Sequence, residues 1–291
     1  MGELLRDHSL QMSDRLSWGS FSLVAAPLEI EVIVNRFVAL VVLGLVIALQ
    51  FRSRVVAADD ETGPVFQLRI YVMADGKLDV MNERFREHTT KLFERHGIEN
   101  VGYWVATDKP HSENMLIYLL KHKSREAADA SWAAFGKDSE WQAIAKATKD
   151  QHGNILKEKI DATYMVTTDY SPEVQPPRAD KLYELRVYKA NEGKLDALHA
   201  RFRDHTQDIF ASHNMRSYGY WSPTEGTKAG NNLIYILEYD DRDAANAGWQ
   251  AFFKDPKWQK AYQESIKDGR LLAEKPESIY MRPTNYSPIR E

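Results

Sequence analysis

The alternation of apolar and polar side chains predicts an ordered series of strands and helices after residue 64. Residues 66–72 alternate strictly, with Leu68 and Ile70 on one face and Arg69 and Tyr71 on the other, which is the period of a strand. Residues 78–92 instead repeat apolar side chains at helical spacing. We expect this helix to end at Gly97, because glycine tolerates the left-handed conformation that often follows a last helical turn.

Later residues complete the unit. Residues 101–105, 115–121 and 163–167 have the composition of strands. Ser124 and Asp138 each precede a helical pattern and can cap its first turn. The predicted order is β-α-β-β-α-β, which is the ferredoxin-like split βαβ unit.

The same pattern occurs twice. Leu68–Trp141 aligns with Leu185–Trp258 without a gap at an offset of 117, with 33 identities in 74 positions. A proline-rich linker, residues 173–180, separates the copies. The sequence therefore predicts a first domain at residues 65–172 and a second at 181–288, after a leader of 58 residues.

The repeated motifs resemble those of the NIPSNAP family. Each copy contains L-R-x-Y, then Gly-Tyr-Trp, L-I-Y-x-L, Arg-x-Ala-Ala and Asp-x-x-Trp in the same order. The chain departs from the family at the first turn, where Asp75-Gly76 and Glu192-Gly193 replace a frequent Pro-Gly. The resemblance implies an α+β fold, in which two tandem ferredoxin-like units pack sheet to sheet as a pseudo-two-fold barrel. It brings no established catalytic residues.

An uncharged run, Phe37–Phe51, sets the leader apart. Its 15 residues are short for a membrane span of about 20 residues and typical of the core of a signal peptide. Val56-Ala57-Ala58 offers a small-residue cleavage pattern, and a start at Val34 would give an ordinary export signal. We therefore predict an exported, periplasmic or extracytoplasmic protein. The alternative is an uncleaved membrane anchor at residues 37–51.

Composition excludes several classes of function. The absence of cysteine excludes disulfides, thiolate catalysis and cysteine-ligated metal centres. A net charge of -4 argues against a nucleic-acid partner, which usually requires a basic surface. The chain has no glycine-rich phosphate loop, nucleophile elbow or H-E-x-x-H motif, so we predict no cofactor and no metal.

The polar face of the first strand in each copy supplies the candidate ligand site. If Leu68 and Leu185 face the helices, the opposite face points into the barrel. A repeated arginine and tyrosine there can bind an anionic or carbonyl-bearing ligand, or the arginines can pair with local carboxylates. One ring of each Tyr-Trp pair on the next strand should also point inward. The candidate barrel-lining residues are Gln67, Arg69, Tyr71, Tyr103, Glu184, Arg186, Tyr188 and Tyr220.

Two histidines repeat at one position of the first helix. His88 and His205 occupy its apolar stripe, which predicts a place between the helix and the sheet. Histidine can act there as a general base or an iron ligand, or as a hydrogen-bonded structural residue.

Two functions fit these observations. The first is a non-catalytic or small-ligand-binding barrel module, which takes a small apolar or anionic ligand and can form a homo-oligomer. The alternative is a cofactor-independent monooxygenase-like or haem-handling enzyme with its site inside the barrel, by analogy with other α+β barrels. An open pocket inside the barrel would favour the enzyme, and a filled interior would exclude it. No catalytic residue is identified.

Overall fold

A computed structural model of the chain describes residues 63–291. The predicted leader, with its apolar run and cleavage pattern, lies outside these residues. Within residues 63–291, no helix combines the length and the apolar character needed to cross a membrane.

The two halves of the described chain have the same elements in the same order. The first half contains β1 (Val65–Val72), α1 (Leu78–Arg84), a π-helical segment (Phe85–Thr89), α2 (Thr90–Arg95), β2 (Glu99–Ala106), β3 (Met115–His122), α3 (Arg125–Lys137), α4 (Ser139–His152) and β4 (Asp161–Thr167). The second half contains β5 (Leu182–Lys189), α5 (Leu195–Arg201), a π-helical segment (Phe202–Thr206), α6 (Gln207–Ser212), β6 (Arg216–Pro223), β7 (Asn232–Tyr239), α7 (Arg242–Lys254), α8 (Pro256–Ser265) and β8 (Glu277–Pro283).

Several predicted helix boundaries are confirmed. Ser124 Oγ accepts a hydrogen bond from the backbone N–H of Ala127 and so caps α3. Asp138 caps α4 in the same way through two backbone N–H groups. Gly97 and Asn214, which follow the first helix of each half, have φ angles of 74° and 58°. These positive angles lie in the left-handed region that glycine and asparagine tolerate best.

The eight strands close into one antiparallel barrel in the order β1-β3-β2-β8-β5-β7-β6-β4. This confirms the predicted α+β fold of two tandem ferredoxin-like units. β4 pairs with β1 of its own half and with β6 of the other. β8 likewise pairs with β5 and with β2. Each half therefore contributes its last strand to the sheet of the other.

Apolar side chains from both halves fill the barrel interior. Leu68 of β1 and Leu185 of β5 belong to one buried cluster with Trp104 and Trp221. Both indole side chains are fully buried. Helices cover the outer face of each sheet, where each half has an aromatic-rich cluster of its own.

The predicted orientation of the first strands is wrong. Leu68 and Ile70 point into the barrel, whereas Tyr71 packs outward among the helices. Arg69 points the same way as Tyr71 and donates a hydrogen bond to its hydroxyl group. Both faces of these sheets are buried, so the polar side chains lie where the helices supply partners for them. The eight candidate residues lie on this outer face and not in the interior: Gln67, Arg69, Tyr71, Tyr103, Glu184, Arg186, Tyr188 and Tyr220.

Candidate ligand site

The outer face of β1 carries a cluster of one arginine and several aromatic side chains beneath the helices. Arg69 Nε donates to Tyr118 Oη at 2.8 Å, and its Nη2 donates to Tyr71 Oη at 3.3 Å. The guanidinium carbon lies 4.5 Å from the centre of the Trp132 ring, a cation–π distance. Trp132 Nε1 in turn donates to Gln67 Oε1 at 2.9 Å. Among residues 63–291, no carboxylate lies within ion-pair distance of Arg69.

At the same place in the second half, a buried carboxylate neutralises the arginine. Glu184 Oε1 accepts hydrogen bonds from Arg186 Nη1 and from Ser278 Oγ, each at 2.6 Å. Its Oε2 accepts from Tyr239 Oη at 2.7 Å and from Trp249 Nε1 at 2.8 Å. The predicted pairing of the arginines with local carboxylates is therefore found in the second half and not in the first.

His122 takes the place that Tyr239 has in the second half. Its side chain is buried, and neither ring nitrogen has a hydrogen-bond partner within the described chain. Burial, with Arg125 and Arg69 nearby, lowers the pKa of His122 from 6.5 to about 4. The imidazole is consequently neutral at pH 7, which suits a position close to two arginines.

Another half-buried arginine, Arg84, lies at the end of α1. Arg84 Nη2 contacts Met81 Sδ at 3.0 Å, and its guanidinium carbon lies 5.3 Å from the centre of the Trp141 ring. Its Nε is buried without a hydrogen-bond partner in the part of the chain that the structure describes. Burial lowers the pKa of Arg84, with Tyr71 and Tyr118 acting in the opposite direction. Like Arg69, it has no carboxylate within ion-pair distance among residues 63–291.

A groove of about 440 Å³, here named the Arg84 groove, opens onto this side chain. Its volume lies within the range of small-molecule sites. The lining contains two cationic side chains and no acidic one. The lining residues are Arg84, Ala145, Thr148, Lys149, Gly153, Asn154, Ile155 and Leu156. The groove therefore combines positive charge with apolar side chains.

The equivalent arginine of the second half is covered. Arg201, at the position of Arg84, has 5% of its surface exposed and donates to Ser265 Oγ at 3.2 Å. The rings of Trp258 and Tyr262 lie 5.1 and 5.7 Å from its guanidinium carbon. Tyr262 aligns with Ala145, so the ring that lies over the arginine in one half is a methyl group in the other.

The predicted position of the repeated histidines is wrong. His88 and His205 are exposed and lie in surface grooves of about 240 and 300 Å³. Each is part of a π-helical segment, whose wider turn shifts the register of the following side chains. In residues 63–291, no group of three or more histidine, aspartate or glutamate side chains is placed to hold a metal ion.

Neither Arg84 nor the groove was predicted from the sequence. The difference between Ala145 and Tyr262 is visible when the copies are aligned at the offset of 117. The alignment does not show that this difference affects Arg84, because α1 and α4 are separated along the chain and only their packing brings Ala145 next to Arg84.

Comparisons with known proteins place the chain in a family. The NIPSNAP family pattern matches residues 66–172 and 183–288. Curated proteins give no match. A crystal structure of an uncharacterized NIPSNAP domain protein from Burkholderia xenovorans is 26% identical, with 37% of this chain and 98% of that chain covered and a TM-score of 0.32. A NIPSNAP family protein with unknown function from Agrobacterium tumefaciens is 25% identical, with coverages of 38% and 96% and a TM-score of 0.34.

A further solved structure is similar over more of the chain. An anthrone oxidase-like protein is 12% identical, with 78% of this chain and 93% of that chain covered and a TM-score of 0.51. At this identity the likeness shows the shared fold alone. The family match covers both repeats and most of the described residues. The chain belongs to the NIPSNAP family.

Proposed function

We propose that this protein is a ligand-binding barrel that takes a small anionic molecule with an apolar portion into the Arg84 groove. The observation that carries the proposal is the half-buried Arg84, whose buried Nε has no hydrogen-bond partner among the described residues and which lines a groove together with Ala145. A buried charge is stable when it is paired, so a bound anion would supply the missing partner.

A comparison with the second half supports the proposed ligand site at Arg84. There Glu184 already provides a carboxylate for Arg186, and Tyr262 covers Arg201. Arg201, like Arg84, has a buried Nε without a hydrogen-bond partner among the described residues. The two halves therefore differ at this position in access, since Tyr262 lies over Arg201 whereas a groove opens onto Arg84. The proposed ligand therefore binds once per chain.

The oxygenase alternative has weaker support. It rested on an arginine- and tyrosine-lined pocket inside the barrel, and those side chains lie outside, under the helices. The likeness to an anthrone oxidase-like protein concerns the fold.

We further propose export of the protein through the apolar run at residues 37–51. N-terminal sequencing of the native protein tests this, and a mature chain that begins before that run would contradict it.

The test uses 8-anilinonaphthalene-1-sulfonate, a fluorescent sulfonate with an apolar ring system, titrated into the full chain. We expect saturable binding of one dye molecule. Arg84→Gln should weaken it about 10-fold or more, because a charge-assisted hydrogen bond contributes roughly 1.5–3 kcal/mol. Ala145→Tyr, which introduces the side chain found at the equivalent position of the second half, should also weaken it by filling the groove.

Arg201→Gln is the matched control, since it removes the equivalent arginine from the closed half. Its affinity for the dye should equal that of the unmodified protein. Equal weakening by Arg84→Gln and Arg201→Gln would overturn the proposal, as would full binding by Ala145→Tyr. Near-ultraviolet circular dichroism of each variant separates dye bound to the folded protein from dye bound to loosened structure.

A further inference from the structure

Three side chains of the second half form a hydrogen-bonded row away from the Arg84 groove. His199 of α5 has its Nε2 atom 3.2 Å from Ser222 Oγ on β6. Its Nδ1 atom lies 2.7 Å from Tyr170 Oη, which follows β4. When Nδ1 carries the imidazole proton and its N–H donates a hydrogen bond to the tyrosine oxygen, Nε2 is free to accept the serine hydroxyl proton.

The row borders a pocket of about 310 Å³, which is within the range of small-molecule sites. The pocket is lined by Thr168, Asp169, Asp196, His199, Arg203 and Ser222. His199 and Ser222 are both partly exposed, so a molecule in the pocket can reach them. Burial, with a smaller effect of Arg203, lowers the pKa of His199, which keeps the imidazole neutral at pH 7.

The first half has the tyrosine of this row and neither of the other two groups. Asn82 aligns with His199, and Val105 aligns with Ser222. Tyr286, the counterpart of Tyr170, donates to Asn82 Oδ1 at 2.8 Å. In the first half, the tyrosine is therefore hydrogen-bonded without a serine hydroxyl or an imidazole nearby. The second half has both groups within hydrogen-bond distance of each other.

We propose that Ser222 is a nucleophile, that His199 is its general base, and that together they cleave small uncharged esters by acyl transfer. Ser222 Oγ bonds to the acyl carbon as its proton passes to His199 Nε2. The ester C–O bond then breaks, and the same proton goes to the departing alkoxide. Water, deprotonated by His199 in turn, hydrolyses the acyl-serine and restores the hydroxyl.

The charges of the pocket set the class of ester. Arg203 donates to both carboxylate oxygens of Asp169, each at 2.7 Å. Asp196 adds a further carboxylate to the lining. The carboxylates outnumber the cation, so an anionic ester is repelled and an uncharged one is accepted. This substrate class differs from that of the Arg84 groove.

The experiment treats the full chain with p-nitrophenyl acetate and locates the acetyl group by peptide mass spectrometry. We expect acetylation of Ser222. His199→Asn should slow p-nitrophenol release from this site about 100-fold, the usual range for loss of a general base. Ser222→Val should remove the acetylated peptide. Both variants carry the residue that the first half has at the equivalent position, which favours correct folding.

Acetylation confined to lysines, with Ser222 unmodified, would overturn the proposal. So would unchanged acetylation of Ser222 in His199→Asn, because the serine would then react without the imidazole. Gly136→Ala, at an exposed position of α3 outside both sites, should acetylate Ser222 at the unmodified rate.

Discussion

At the scale of single residues, the two halves differ in the groups that surround an equivalent arginine. Arg69 and Arg186 are equivalent and both lie over a tryptophan ring, at 4.5 and 4.4 Å. Glu184 accepts four hydrogen bonds beside Arg186, whereas Gln67 accepts one near Arg69. The duplication thus retained the cation and its aromatic partner and changed the counter-ion. A difference of this kind leaves the fold intact and alters what each half can bind.

His122 predicts a pH dependence of stability. Its pKa is about 4 in the folded protein and 6.5 ordinarily, so the unfolded chain takes up a proton between these values that the folded chain does not. Its contribution is therefore complete above pH 6.5 and is lost as the pH falls toward 4. His122→Tyr, with the side chain that Tyr239 has in the second half, cannot take up this proton. On acidification, the free energy of unfolding should fall by roughly 1–3 kcal/mol more in the unmodified protein than in the variant.

Urea unfolding of both proteins at neutral pH and near pH 4 measures this difference. The comparison cancels the other histidines and the carboxylates, which both proteins share. Parallel pH profiles would contradict the prediction, since they would mean that His122 titrates alike in the folded and unfolded chains.

The strand alternation was predictable from the sequence, but the direction of its faces was not. Leu68 and Arg69 alternate as expected, and that pattern does not say which of two buried faces is the barrel interior. The usual rule places charge toward water or a cavity. Here Arg69 is accommodated by Tyr71 of its own strand, and by Trp132 and Tyr118, which approach only when α3 and β3 pack against β1. Trp132 and Tyr118 are distant from Arg69 in sequence, so the strand pattern could not reveal them.

At the scale of elements, the first helix of each half shows why pattern and structure diverge. The apolar spacing predicted one uninterrupted helix, and the structure places a π-helical segment at Phe85–Thr89 and again at Phe202–Thr206. Thr89 and Thr206 are buried, and their hydroxyls donate to backbone carbonyl groups five residues earlier. These hydrogen bonds satisfy carbonyl groups that a regular helix would pair differently. The same segment in both halves indicates a feature of the repeat and not a local accident.

A second irregular element, the bulge in β2, depends on a glycine. The register of β2 against β3 shifts between Asn100 and Gly102, and the Trp104 ring folds back over the glycine. A Cβ atom at Gly102 would lie 2.3 Å from Trp104 Cη2. Because this ring belongs to the filled barrel core, we expect Gly102→Ala to lower the free energy of unfolding by about 1–3 kcal/mol.

Gly136→Ala is the control for this substitution. Gly136 lies in α3, and a Cβ atom there would have no neighbour within 4 Å. The change should raise the free energy of unfolding by about 0.5–1 kcal/mol, because alanine favours the helix. Urea denaturation followed by far-ultraviolet circular dichroism measures both variants. Equal changes in the free energy of unfolding for the two substitutions would contradict the prediction, because the close approach of Trp104 would then not destabilise Gly102→Ala.

At the scale of the whole molecule, the exchange of strands joins the two repeats. β4 completes its own sheet and borders the second half, and β8 does the same in the opposite direction. Trp104 and Trp221, one from each half, share a single buried cluster. The repeat was evident from the sequence, whereas this exchange was not, because each copy alone contains a complete set of strands. The family resemblance suggested a shared barrel, and the pairing of β4 with β6 explains how it closes.

This exchange predicts that the described residues unfold in one cooperative transition. Two independent domains of this size would each unfold by themselves, and multidomain chains commonly give separate transitions. Here, separating the halves would expose the apolar barrel faces of both and leave the edges of β2 and β6 unpaired, so neither half has a stable state of its own. Urea unfolding should give superimposable curves by tryptophan fluorescence and far-ultraviolet circular dichroism. Gly102→Ala in the first half should move the whole curve, including the signal of the second half. A plateau between two transitions, or a shift confined to part of the signal, would mean that each half supplies its own stability and that the shared core adds little.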